Sequence, residues 1–73
     1  MTTTYERNDT VRGIITNTSS TGCYVKIEGA EPTCPDAYYK GCGRTGDRVM
    51  LSVIRVFDNQ ILTRLDSVLE YAA

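Results

Sequence analysis

The chain has 73 residues, with eight Lys plus Arg against nine Asp plus Glu and no histidine. That length supports one domain with one core and leaves no cleft between domains for catalysis. The balanced charge excludes a surface built wholly for polyanions, and the missing histidine removes the usual general base and the commonest metal ligand.

Residues 1–8, MTTTYERN, are polar and read as a flexible leader, leaving residues 9–73 as a single domain. The opening lacks the apolar stretch of a secretory signal, and no apolar run nears the roughly 18 residues of a membrane span. A cytoplasmic protein with no membrane contact is expected.

The first strand is predicted from Asp9 to Thr18, where Val11, Ile14, Ile15 and Thr16 supply β-branched side chains. Gly13 within it predicts a bend or bulge. Asn17 to Gly22 has the composition of a turn. Gly22 to Glu28 then alternates, with Cys23, Val25 and Ile27 on one face and Tyr24, Lys26 and Glu28 on the other. This is a half-buried strand with one wet face.

Pro32 and Pro35 argue against both helix and central strand after Gly29. The segment Ala37-Tyr38-Tyr39-Lys40-Gly41-Cys42-Gly43-Arg44 is too short and too glycine-broken for a stable helix. A poor third strand is expected in this span, along with the domain's most distinctive surface. Thr45-Gly46-Asp47 reads as a turn, and Arg48 to Phe57 as the longest strand, with Val49, Leu51 and Val53 facing inward. Asp58-Asn59-Gln60 is a hairpin turn, and Ile61 to Leu65 is a fifth strand. The tail, Asp66 to Ala73, fits either a helical turn capped by Asp66 or an extension of that strand. Five short strands at regular spacing read as a small all-β barrel or sandwich.

The chemistry-bearing residues are few. Cys23, Cys34 and Cys42 are odd in number and are expected as reduced thiols. A zinc site wants about four ligands, typically with a close cysteine pair, and this chain offers neither. Cys42 stands between two glycines with no histidine to activate it. No catalytic constellation is present, so the chain is not expected to be an enzyme, and no cofactor is implied.

Gly13-Ile14-Ile15 is followed by Gly22-Cys23-Tyr24-Val25-Lys26-Ile27, and later by Gly46-Asp47-Arg48-Val49-Met50-Leu51-Ser52-Val53. This order and spacing resemble the S1 RNA-binding family, whose domains are small five-stranded antiparallel barrels of the oligonucleotide-binding (OB) type. The resemblance runs over residues 9–65. It implies that Tyr24 occupies a base-stacking position, with Lys26 and Arg12 on the same face and Asp58 near the closing hairpin. The family often carries a second aromatic where this chain has Thr21. Its third-strand pattern, Glu-Gly-hydrophobic-hydrophobic-His, meets Glu31-Pro32-Thr33-Cys34-Pro35 here and is rewritten. Tyr38, Tyr39 and Lys40 are candidates to replace what is missing.

What the resemblance implies is a non-catalytic module for single-stranded RNA, or single-stranded DNA, that holds bases on an exposed aromatic ring. It would act alone or within a larger ribonucleoprotein or protein assembly. The alternative is an OB barrel kept for protein interaction, its nucleic-acid face degenerated. The acidic balance, the absent aromatic and the proline loop favour that second reading.

Overall fold

The computed structural model describes residues 5–30 and 33–72. Five strands follow in chain order: β1 Thr10–Thr18, β2 Gly22–Ile27, β3 Ala37–Lys40, β4 Arg48–Val56 and β5 Ile61–Glu70. They close into a barrel in the order β1-β2-β3-β5-β4. Among the described residues every seam is antiparallel except β3–β5, which is parallel. The expectation of an antiparallel barrel is refined there for a simple reason. Strand direction cannot alternate all the way round a ring with an odd number of strands.

Alternation along each strand builds the core. Cys23, Val25 and Ile27 from β2 meet Val49, Leu51 and Val53 from β4, with Val11, Ile15, Ala37, Tyr39 and Ile61 completing the cluster. All are buried, and their removal from water is the main force holding so small a domain together.

Gly13 sits where β1 turns from β4 to β2, and it pairs with both Ile27 and Val49. A Cβ at Gly13 would collide with the carbonyl oxygen of Lys26 and the side chain of Val25. The glycine therefore permits close approach of β2. The expected bulge lies elsewhere: the β1–β2 register shifts between Ile15 and Asn17.

Asp47 explains the Gly-Asp strand start. It is buried, and its carboxylate accepts hydrogen bonds from the backbone N–H of Arg44 at 3.2 Å and of Ala72 at 2.6 Å. One side chain thus closes the turn before β4 and fastens the end of the chain. Asp47→Asn keeps the volume but loses the charge that strengthens both bonds. It should cost about 1–3 kcal/mol in urea unfolding; an unchanged midpoint would remove Asp47 from this role.

One expectation changes, and two take a definite form. The tail extends β5 as strand through Glu70, and the helical turn is not formed. Met1–Thr4 lie outside the described residues, whereas Tyr5 packs against the core and Asn8 N–H donates to Val53 O at 2.7 Å. The flexible leader therefore does not extend to residue 8, because Tyr5 gains burial and Asn8 a backbone bond. Finally, Glu31 and Pro32 lie outside the described residues, and the third strand is found at Ala37–Lys40. It lies within the span where a poor third strand is expected.

Candidate nucleic-acid interface

The outward face of β2 and β3 carries two aromatic rings. Tyr24 pairs directly across the ladder with Tyr38. Their ring centroids are 5.1 Å apart with planes tilted at 54°. Such a tilted pair is worth about 0.5–1.5 kcal/mol beyond its buried area. Both rings are half-buried, so each is held by its neighbour while keeping surface open to solvent.

Tyr38 is positioned by β2. A Cβ on Gly22 would meet the Tyr38 hydroxyl at 2.7 Å and its ring carbon at 2.8 Å. The ring lies across the glycine because nothing stands there. Its hydroxyl then reaches Thr21, with Oη and Oγ1 3.0 Å apart. Thr21 occupies the position where the resembled family often has a second aromatic. The neighbouring strand brings the Tyr38 ring to this face, and Thr21 anchors it. Sequence alone could not find this, because it depends on the β2–β3 register.

Tyr39 is a different case. It is 1% exposed and lies in the core, with its hydroxyl donating to Cys42 O at 3.1 Å. Its expected place in a binding surface is corrected: alternation along β3 sends Tyr38 outward and Tyr39 inward. Burial holds its phenol above the ordinary tyrosine range, with the Cys23 thiol beside it adding to the shift. The Cys23 thiol in turn points to Gly41 O at 3.7 Å, so the Gly41–Gly43 loop is pinned to the barrel by two core side chains.

Cations flank the ring pair on both sides. Lys26 follows Tyr24 on the outward face of β2, and Lys40 follows Tyr38 on β3 opposite Gly22. Neither Lys26 nor Lys40 is among the ion pairs of the described residues.

Arg12 also faces outward and shares the face with Lys26, whose ladder partner is Ile14. Arg12 lies beyond Lys26 from the rings, however, level with Glu28, whose N–H donates to Arg12 O at 2.8 Å and whose carboxylate is bound to Arg48. Asp58 is exposed at the β4–β5 hairpin, where Phe57 N–H donates to Gln60 O at 2.7 Å. It lies beyond the Val56–Ile61 pair, at the end of the barrel where β3 begins, and makes no side-chain hydrogen bond or ion pair among the described residues. The structure brings Tyr24, Tyr38, Lys26 and Lys40 together, puts Arg12 at the margin and leaves Asp58 apart.

No group of residues able to hold a metal occurs among the described residues. The arrangement offers π-faces, exposed cations and a hydroxyl, which suits stacking and phosphate contacts.

No family model matches the chain, and no curated protein matches it in sequence. Solved structures do match. The intact alpha subunit of aIF2 from Pyrococcus abyssi is similar with a TM-score of 0.71 at 16% identity, over 85% of this chain and 29% of that one. A chain of the a/eIF2alpha–aDim2p–rRNA complex from Pyrococcus horikoshii OT3 also gives 0.71, at 14% identity over 84% of this chain and 44% of that one. The fold is an OB barrel. At these identities the likeness concerns the fold, and this OB barrel spans less than half of either neighbouring chain.

Proposed function

We propose that this OB barrel is an S1-type, non-catalytic module that binds single-stranded RNA on the β2–β3 face. The observation that carries the proposal is the Tyr24–Tyr38 ring pair flanked by Lys26 and Lys40. Any base offers a π-face to such a platform, so binding is weakly sequence-selective and of modest affinity. With balanced overall charge, only a local cluster of cations meets phosphate, and the salt dependence is correspondingly shallow. The neighbour found in a complex with rRNA supports an RNA ligand over DNA.

The test is an NMR amide titration with single-stranded RNA at about 50 and about 200 mM salt, which bracket the range where phosphate contacts weaken. Shifts are expected at Tyr24, Lys26, Tyr38 and Lys40, smaller at the higher salt, with weaker shifts for the matching DNA. A flat response at near-millimolar RNA would end the proposal and turn attention to protein partners.

A further inference from the structure

The ring pair does not stand at the edge of its surface. Tyr38 is paired on its other side with Leu62 of β5, so the outward row Tyr24–Tyr38 continues onto the β5 face. Beyond this row β3 and β5 part, since their ladder ends at Tyr38 and Leu62. Thr63 is buried and ties the two strands at that point by donating its hydroxyl to Tyr38 O at 2.9 Å.

A groove of about 360 Å³ opens where the strands diverge, lined by Lys40, Ile54, Leu62, Thr63, Arg64 and Leu65. Its size falls at the lower end of the range for small-ligand sites, which starts near about 300 Å³. Its floor is apolar, with Ile54 left 42% exposed. Two cations, Lys40 and Arg64, stand at its rim. Arg64 has one loose partner, Asp66 at 3.7 Å, and that carboxylate already accepts the Ser52 hydroxyl. The Arg64 side chain is 72% exposed and remains available to an incoming anion.

We infer that this groove is a second nucleotide subsite, taking a phosphate between Lys40 and Arg64 and a base or sugar over Ile54 and Leu62. The inference rests on the RNA-binding proposal. Continuity supplies the occupant: Lys40 lies two residues beyond Tyr38 on one strand, roughly 7 Å along it, and serves both surfaces. A strand leaving the ring pair along β3 enters the groove directly. The cationic rim over an apolar floor matches the alternation of phosphate and base along such a strand. The residues that distinguish this subsite from the ring pair are Arg64 and Ile54.

The test compares oligouridylates of about four and about eight nucleotides, lengths within the range one OB barrel covers. Fluorescence anisotropy is read for the wild type, Arg64→Gln, and the double variant Arg64→Gln with Ile54→Ser. Both positions are exposed, and amide dispersion checks that each variant is folded. The longer RNA should bind the wild type more tightly than the shorter one. The double variant should lose about 5- to 10-fold for the longer RNA and under about 2-fold for the shorter. Arg64→Gln alone should lower the salt slope for the longer RNA by about 1.

Equal affinity for the two lengths would overturn the subsite while leaving the ring pair intact. So would equal losses for both lengths in the double variant, or no loss in either. Failure of both lengths to bind the wild type would overturn the RNA-binding proposal together with the subsite. An acidic apolar peptide that shifts Ile54 and Arg64 where RNA does not would assign the groove to a protein partner and overturn the subsite.

Discussion

Tyr24→Ala should weaken RNA binding by about 1–3 kcal/mol, roughly 5- to 150-fold, measured by anisotropy on folded protein. The magnitude follows from the loss of one stacking platform. Tyr38→Ala should fall in the same range, because its ring is the second platform and also buttresses the first from 5.1 Å. Since the rings touch, their effects will not add. The double variant should lose less than the sum of the two single losses, and the difference reports their coupling. Tyr38→Phe separates ring from hydroxyl. It keeps the stacking face and gives up only the contact with Thr21, so its loss should be far smaller than that of Tyr38→Ala. Wild-type affinity in Tyr24→Ala would sink the assignment of this face. A Tyr38→Phe loss as large as that of Tyr38→Ala would mean that the hydroxyl, not the ring, is the contact.

The sequence carries some of this surface plainly and hides the rest. Period-two alternation is a local property, and it identifies the inward faces of β2 and β4 because Cys23, Val25 and Ile27, and Val49, Leu51 and Val53, obey it. The same rule reveals Tyr24 and Lys26 as outward-facing. β3 is harder. It has only four residues, so its pattern is too short to fix a phase by itself. Tyr38 and Tyr39 look alike in sequence, and only pairing with β2 separates a surface ring from a core ring. The strand itself falls at Ala37–Lys40, inside the span expected to hold it. The β5 side of the surface is the least legible. Leu62 and Arg64 alternate like any strand residues, and Arg64 reads as an ordinary solvated charge. Their position beside Lys40 depends on the parallel β3–β5 seam, a contact between segments far apart in the chain.

Tyr39→Ala should be the most damaging single change to the fold. Truncating a buried aromatic costs about 3–5 kcal/mol through lost transfer energy and the cavity left behind. A domain of this length has only about 4–11 kcal/mol to lose. The variant should therefore be largely unfolded or sharply destabilised, with collapsed amide dispersion and an early urea midpoint. A midpoint near that of the wild type would show that Tyr39 is not the keystone its 1% exposure indicates. Tyr39→Phe keeps the ring and gives up the bond to Cys42 O, at a cost of about 0.5–1.5 kcal/mol. It also isolates a pH effect. Burial raises the Tyr39 phenol above its ordinary value of 10, so the unfolded chain releases that proton first as pH rises. Stability from neutral Tyr39 is whole below pH 10 and declines above it. Tyr5, raised by burial and by the Cys34 thiol, adds to the same decline. Urea midpoints taken at neutral pH and above pH 10 should fall less steeply in Tyr39→Phe than in the wild type. If the two fall in parallel, the alkaline loss belongs to groups other than Tyr39.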